Sequence, residues 1–220
     1  MNDYTAGKTW KIERRQKIME TGFRLFAEKG IEMVMLSTIA KESGVGNATL
    51  YRYFNTKLDL AIEISTWTWD MYIQSRHASV SNEALQQMTG AEYLRLFLDS
   101  FIDLYRNHRD LLRFNYNLNS FLKHEAGTEE QRQPFIRLAD QFGKLFHVFY
   151  ERGISDGTLN KKYTETTMFS SSFHIMLASV TRYAVGLLYI PDEGGDPEKE
   201  LLLLEEMFLD RFTVSVQDVP

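Results

Sequence analysis

Residues 36–54 constrain this 220-residue chain more than any other stretch, because their pattern predicts two short helices joined by a tight turn. Ala40 is small enough for two helices to cross closely. Gly44, four residues later, can adopt a positive φ at the turn without a Cβ clash. Ser37 is placed to cap the first helix. Three apolar side chains are spaced to fill the wedge between the helices: Ile39, Val45 and Leu50.

The second of these helices keeps one face free when Leu50 is buried. On that face Arg52 can donate two hydrogen bonds to guanine O6 and N7, and the methyl groups of Ala48 and Thr49 can meet a thymine methyl. A helical hairpin inside an ordinary bundle is the alternative, but it would not expose such side chains together. The predicted DNA-binding residues are Thr38, Tyr53 and Lys57 at backbone phosphates, with Asn47, Ala48, Thr49, Tyr51 and Arg52 along the recognition helix.

Charge is distributed unevenly along the chain, whose formal net charge is -5. Residues 1–60 hold ten lysines and arginines against seven aspartates and glutamates, whereas the remainder holds 15 against 23. A basic N-terminal part on an acidic body concentrates attraction for phosphate where the helix pair lies.

Several classes of protein are excluded by what the sequence lacks. Cysteine is absent, which rules out disulfides and thiolate metal sites and is typical of a reducing cytoplasm. No apolar run reaches the roughly 18 residues of a transmembrane helix, and the first ten residues lack a secretory apolar core. The five histidines have no metal-ligand spacing, and no phosphate loop or catalytic constellation is recognisable. We expect no cofactor, no metal and no enzymatic activity.

Proline is scarce and apolar residues recur at helical spacing, so the predicted fold class is all-α. A first helix over residues 10–29 should end at Gly30 in a left-handed cap. A longer helix over residues 56–76 should begin with Thr56 as its cap. Residues 79–89 are predicted to be a polar connector. Further helices are predicted over residues 91–107, 109–123, 129–153, 164–189 and 197–212.

Residues 15–60 resemble the tetracycline-repressor (TetR) family of bacterial regulators. The resemblance is carried by Phe26-Ala-Glu-Lys-Gly30, Ile39-Ala40, Gly44-Val45, Thr49-Leu-Tyr-Arg-Tyr-Phe54, and Lys57 before Leu60. It implies a homodimer with an N-terminal three-helix DNA-binding domain and a larger C-terminal helical bundle that binds a small effector and pairs through its last two helices. Most members repress transcription and release DNA when the effector binds. We therefore place the domains at residues 1–56 and 57–220.

One position departs from the family pattern. Gly46 stands where the family usually has serine or threonine to cap the recognition helix, a change that costs only a few tenths of a kcal/mol. We expect Asn47 to take over part of the capping role, or the helix to start one residue later.

The C-terminal part carries many aromatic residues, some of them recurring every fourth position as Phe142, Phe146 and Tyr150 do. Such rings either fill the core or line an apolar pocket into which a few polar groups, Ser171 among the candidates, are aimed. The predicted effector-binding residues are Phe101, Tyr105, Phe114, Asn117, Phe142, Phe146, His147, Phe173 and His174.

The last two predicted helices are more apolar than one buried face requires, most clearly at residues 201–204. A helix that is apolar on more than one side needs more than one partner, and an isologous four-helix interface would bury the surplus. A central helix in a monomer is the alternative. The predicted dimer contacts are Met176, Val180, Tyr183, Leu187, Leu201, Leu204 and Phe208.

Together these patterns predict a cytoplasmic dimeric repressor that binds a palindromic double-stranded DNA operator. A small, largely apolar or aromatic effector would release it by favouring a dimer whose recognition helices are wrongly spaced, with the helix from residue 56 as the lever. The alternative is a DNA-binding regulator without a small-molecule effector, which is constitutive or controlled by a protein partner.

Overall fold

The computed structural model describes residues 3–124, 128–186 and 195–214, and nearly all of them are helical, which confirms the all-α fold class. Within these ranges the β pairing is limited to one bridge between Leu159 and Thr213. No helix in the described ranges is both long and apolar enough to cross a membrane. The helices are α1 (Asp3–Lys29), α2 (Leu36–Glu42), α3 (Asn47–Tyr53), α4 (Lys57–Ala78), α5 (Asn82–Gln87), α6 (Gly90–Asn107), α7 (Arg109–His124), α8 (Glu129–Ser155), α9 (Glu165–Val185) and α10 (Pro197–Phe212).

The chain divides into two compact units. Unit 1 comprises Met1–Met71 with Arg113–Ile136, and unit 2 comprises Tyr72–Leu112 with Arg137–Pro220. Helices α4, α7 and α8 therefore each contribute residues to both units. The domain boundary after residue 56 stays a prediction, since this division groups helices by packing and not by function.

Two helix boundaries in unit 1 follow from local chemistry, as predicted. Helix α1 is followed by Gly30, whose φ of 83° is accessible to glycine at low cost. At the start of α4 the backbone N–H of Asp59 donates to Thr56 Oγ1 and the backbone N–H of Thr56 donates to Asp59 Oδ2, both at 3.0 Å. This reciprocal pair satisfies amides that the first turn would otherwise leave without partners. Helix α1 starts earlier than predicted, at Asp3.

The core of unit 1 joins α1 and α4 to α7 through contacts between aromatic rings. Phe26 and Phe114 are fully buried, with their ring centroids 6.5 Å apart. Phe23 lies 5.5 Å from Phe114 and meets Trp67 of α4 edge-on at 6.5 Å. Rings of this size contribute most of the apolar area that a small helical unit removes from water. All three tryptophans of the chain lie in unit 1: Trp10, Trp67 and Trp69.

The prediction of a polar connector over residues 79–89 was wrong. The structure places α5 there, capped by Ser81, whose hydroxyl accepts a backbone amide hydrogen at 3.1 Å. Thr89 and Glu92 form a second capping box, which starts α6 one residue before the predicted position. A six-residue polar helix has too few apolar positions to show a helical period, so only its cap could have indicated it.

In unit 2 the helices α6, α9 and α10 pack against one another. The loop after α8 caps α6, because Asp156 Oδ2 accepts the Gly90 amide hydrogen at 2.8 Å and Thr158 Oγ1 accepts that of Ala91 at 3.0 Å. These bonds hold the end of α8 against the beginning of α6.

Candidate nucleic-acid interface

Helices α2 and α3 form the predicted helix-turn-helix. Gly44 has a φ of 71° at the turn, and the Val45 amide donates to the Ala40 carbonyl at 2.9 Å. Ile39, Ala40 and Leu50 are buried, as the wedge between two crossed helices requires. The spacing of small and apolar residues therefore predicted this pair correctly.

The caps of these two helices differ from expectation. Ser37 was predicted to cap α2, which was wrong, because the helix begins at Leu36 and its N-cap is Met35 without a side-chain hydrogen bond. At α3 the N-cap is Gly46, also without a side-chain hydrogen bond. The recognition helix therefore starts where the family pattern places it, and Asn47 does not replace the missing hydroxyl.

Helix α3 presents a polar face outward while its apolar side is anchored. Leu50 is fully buried, whereas Asn47, Ala48 and Arg52 are exposed on the same short helix. Tyr51, on the same helix, is 52 % exposed. Thr49, which was also predicted on this face, is half-buried.

Thr38 and Tyr53 flank this face with hydrogen bonds already formed inside the protein. The Thr38 amide donates to the Met35 carbonyl at 3.0 Å, which leaves the half-buried side chain as its free group. The Tyr53 hydroxyl donates to the Lys11 carbonyl at 3.3 Å. This bond connects the end of the recognition helix to α1.

Lys57 has a structural role that the sequence did not indicate. Its ammonium donates to the carbonyl oxygens of Ile31 at 2.9 Å and Glu32 at 3.0 Å, just after α1 ends. Two of its three protons are thereby used within unit 1, and the third is available for a phosphate.

Unit 2 contains a continuous group of phenylalanine rings from α6, α8 and α9, here called the phenylalanine cluster. Phe146 lies 5.2 Å from Phe97 and 5.3 Å from Phe169, and both Phe101 and Phe142 lie within 6 Å of Phe173. Phe101 and Phe146 are buried and the other rings are half-buried. The members of the cluster are Phe97, Phe101, Phe142, Phe146, Phe169 and Phe173.

Two members of this cluster were missed from the sequence. Phe97 precedes Phe101 by four residues, and Phe169 precedes Phe173 by four, so the i,i+4 spacing on α6 and α9 carried the missing signal. Tyr105, a predicted member, is buried elsewhere on α6, where the Arg109 guanidinium lies 4.2 Å from its ring centroid.

Phe114 and Asn117, which were predicted to line an effector site, lie in unit 1 and not with the cluster. Phe114 packs on Phe26, and Asn117 Nδ2 donates to the carbonyls of Phe26 at 2.8 Å and Ala27 at 3.3 Å. Both side chains serve the core of unit 1, which is the alternative that the sequence left open for the aromatic rings.

The predicted histidines lie on the surface. His147 is 58 % exposed and contacts Glu165 at 3.0 Å, and this hydrogen bond raises the pKa of the imidazole. His174 is exposed on α9, with Ser170 Oγ 3.4 Å from its ring nitrogen. The Ser171 hydroxyl donates to the carbonyl of Thr167 in its own helix. Across the described ranges, no three histidine or carboxylate side chains come close enough to hold a metal ion.

The predicted dimer contacts divide by burial. Met176, Val180, Leu201 and Phe208 are buried within the chain itself, so they pack α9 and α10 in unit 2. Leu204 and Tyr183 are half-buried, and a hydrogen bond to Glu200 raises the pKa of Tyr183 to about 12. Leu187 lies outside the described residues. The large apolar side chains exposed on the described parts of these two helices are Ile175, Leu203 and Met207.

An all-α chain with a buried helix-turn-helix wedge and an exposed recognition face defines a DNA-binding transcriptional regulator. Residues 18–64 match the family model described as bacterial regulatory proteins, tetR family. HTH-type transcriptional regulator SAB2452 of Staphylococcus aureus is 47 % identical over 160 residues, which span 73 % of this chain and 78 % of that protein. The chain belongs to the TetR family of transcriptional regulators, whose members are DNA-binding proteins and not enzymes.

Solved structures share the fold at low sequence identity. A putative transcriptional regulator from Saccharomonospora viridis in complex with choline superposes with a TM-score of 0.73 at 18 % identity, covering 92 % of this chain and 99 % of that one. The transcriptional regulator FadR from Bacillus subtilis in complex with stearoyl-CoA superposes with a TM-score of 0.67 at 19 % identity, covering 88 % of this chain and 97 % of that one. At such identities the likeness concerns the fold alone.

Proposed function

We propose that this protein is a dimeric, cytoplasmic repressor that binds a palindromic operator and is released by a small, largely apolar or aromatic effector. The observation that carries the DNA-binding part is the contrast on α3 between fully buried Leu50 and exposed Arg52. Because the helix is anchored by one side, its other side is held in a fixed orientation toward the bases of a major groove.

Dimerisation is supported by the exposed apolar side chains of α9 and α10. Leu203 is 57 % and Met207 60 % exposed, and they lie four residues apart on one face of α10. Ile175 is exposed on α9. An isologous interface would cover these side chains, whereas the buried residues predicted earlier keep the two helices together within one subunit. A two-fold dimer would present two recognition helices about 34–36 Å apart, at successive major grooves.

The effector part of the proposal is supported by the phenylalanine cluster. Four of its six rings are half-buried, so the cluster extends from the core of unit 2 to accessible surface. A site lined by such rings favours a ligand with substantial apolar or aromatic area. Two proteins of similar fold are in complex with choline and with stearoyl-CoA, ligands of very different size, which supports a small-molecule site in this fold.

A second candidate is a DNA-binding regulator without a small-molecule effector. It is favoured by the close packing of the cluster, in which neighbouring ring centroids such as those of Phe97 and Phe146 lie 5.2 Å apart and Phe146 is fully buried. Rings packed in this way fill the core with one another and leave no space that a ligand must occupy. A thermal-shift screen separates the two candidates, because only the first expects apolar compounds to raise the melting temperature.

The DNA-binding proposal is tested by selecting genomic fragments on the full-length protein and measuring affinity for the recovered operator. Arg52→Ala should relax base preference at one position of each half-site, by about 1–3 kcal/mol. Lys57→Ala should weaken all sequences alike and reduce the salt dependence. Lys162→Ala, at an exposed site in unit 2, is the matched control and should bind as the parent does. Operator binding unchanged in both Arg52→Ala and Lys57→Ala would refute the proposal.

A further inference from the structure

We propose that the exposed face of α1 at Trp10, Arg14 and Lys17, together with Lys11, is a second DNA contact that binds the sugar-phosphate backbone beside the recognition helix. These four residues are here called the α1 ridge. The inference rests on the proposed function, since it adds a phosphate-binding surface to the same protein–DNA complex, and it involves none of the residues assigned from the sequence.

Two contacts connect the ridge to the helix-turn-helix, one at the end of α3 and one in the turn that precedes α3. At the C-terminal end of α3 the Tyr53 hydroxyl donates to the Lys11 carbonyl at 3.3 Å. At its N-terminal end, Lys17 Nζ lies 4.0 Å from the position that a Cβ on Gly44 would occupy in the turn.

An element beside a recognition helix meets phosphate for geometric reasons. An α-helix with its side chains is about 10–12 Å across, and the major groove is about 12 Å wide. When one helix fills the groove, the protein elements next to it lie against the sugar-phosphate backbone that borders the groove and do not reach the base edges. Contacts from such a neighbour fix orientation and add affinity without sequence information.

The charges of the ridge are available for this contact. Lys11 and Lys17 are exposed, and among the described residues neither they nor Arg14 forms an ion pair with a carboxylate. By contrast, the neighbouring cation Arg15 of α1 is paired with Glu63. A row of cations without acidic partners on a chain of net charge -5 is what a phosphate backbone attracts.

Arg14 is also positioned in advance. Its guanidinium carbon lies 3.4 Å from the ring centroid of Trp10, which is 48 % exposed. Stacking on the indole restricts the long side chain while its N–H edges stay free to donate to two phosphate oxygens. Less conformational entropy is then lost when the phosphate binds.

The test uses the full-length protein, the selected operator duplex and a random duplex, with affinity measured over a range of salt concentrations. Arg14→Gln combined with Lys17→Gln should weaken both duplexes several-fold and by the same factor. The slope of log affinity against log salt should fall in magnitude by about 3.6, since two phosphate contacts are lost from each of the two subunits and each contact removes about 0.9. Lys161→Gln combined with Lys162→Gln, two exposed lysines of unit 2, is the charge-matched control and should leave the slope unchanged.

Further variants keep the test decisive if the double variant is poorly folded, which a thermal melt by circular dichroism will show. Arg14→Lys should retain the salt slope, because the charge remains, but should weaken binding through the lost stack. Glu13→Gln removes an exposed carboxylate four residues before Lys17 and should strengthen binding to both duplexes.

The outcomes separate this inference from the proposed function. If the parent binds no duplex even at low salt, the proposed function fails. If the parent binds and Arg52→Ala alters base preference, but a folded ridge variant keeps the parental affinity and slope, only the ridge is refuted. A ridge variant that loses discrimination at one base position also refutes it, since the ridge would then contact bases.

Discussion

Gly90 and Gly153 meet where α6 begins and α8 approaches its end, so closely that a Cβ added to Gly90 would lie 2.0 Å from the Cα of Gly153. The obstructing atom is backbone, and no rotamer change can move it. Glycine at this crossing is therefore required by distance and not by backbone conformation. The hydrogen bond from the Gly90 amide to Asp156 keeps the two helices in this register.

We expect Gly90→Ala to lower the free energy of unfolding by about 1–3 kcal/mol or more, because an added methyl group must push the helices apart. Urea denaturation followed by circular dichroism measures the change. Gly143→Ala is the matched control on α8, where an added Cβ would meet nothing within 4 Å. It should be neutral or stabilise by up to about 1 kcal/mol through helix propensity. Equal effects of the two substitutions would contradict the close crossing.

We expect Lys57 to contribute to the stability of the folded protein as well as to DNA binding. Removing its ammonium leaves the carbonyls of Ile31 and Glu32 without that donor, at an expected cost of about 1–2 kcal/mol. Lys57→Met keeps the aliphatic stem and isolates the lost hydrogen bonds. Chemical denaturation of this variant beside Lys41→Met, an exposed lysine of α2, measures the difference. Identical stabilities would show that the two carbonyl contacts contribute nothing.

Asn117 provides a test of its place in the core of unit 1. Asn117→Ala removes the amide that donates to Phe26 and Ala27 at the end of α1 and should destabilise the protein by about 1–2 kcal/mol. Asn119→Ala, two residues further along α7 at an exposed position, should change stability by less than about 0.5 kcal/mol. Thermal melts of the parent and the two variants measure the difference. An Asn117→Ala variant as stable as the parent would show that its hydrogen bonds to the end of α1 contribute nothing.

Glu205 is a buried carboxyl group whose ionisation costs stability. Its side chain is 4 % exposed between α10 and α6, with Arg95 Nη1 at 3.4 Å. Burial, followed by the charge of Asp99, raises its pKa to about 7, and Arg95 opposes this only in part. Because the folded pKa lies above the unfolded value of 4.5, the stabilising contribution is complete below pH 4.5 and is lost as the pH rises through 7.

Glu205→Gln should therefore gain stability over the parent as the pH rises from 5 to 8, by on the order of 1–3 kcal/mol, since the amide cannot ionise. Urea denaturation at both pH values gives the difference. Glu206→Gln changes an exposed neighbour on the same helix and should follow the parental pH dependence. The explanation fails if the Glu205→Gln curve runs parallel to that of the parent.

The features predicted correctly are those determined within a few residues. Gly30 and Gly44 adopt positive φ because the chain must turn there, and Thr56 caps α4 through a residue three positions away. The wedge of the helix-turn-helix needs residues only 11 positions apart, Ile39 and Leu50, so its spacing was visible in the sequence. Local chemistry of this kind does not depend on the rest of the fold.

The surroundings of the predicted effector and dimer residues could not be read from the sequence, because they depend on distant contacts. Asn117 and Phe114 were grouped with the other aromatic helices, but their partner Phe26 lies 91 residues from Asn117 along the chain. Periodicity identifies an apolar face without naming the helix that covers it. For the same reason, periodicity could not show that Val180 and Leu201, two predicted dimer contacts, are buried within one chain. Their part in a dimer interface stays a prediction.

The position of the tryptophans in unit 1 makes the molecule optically asymmetric. Indole emission will report the unfolding of unit 1 alone, because Trp10, Trp67 and Trp69 all belong to it, whereas unit 2 has phenylalanine and tyrosine as its only chromophores. Far-ultraviolet ellipticity averages the helices of both. A gap between the two transition curves would therefore measure how independently the halves melt, without labelling either of them.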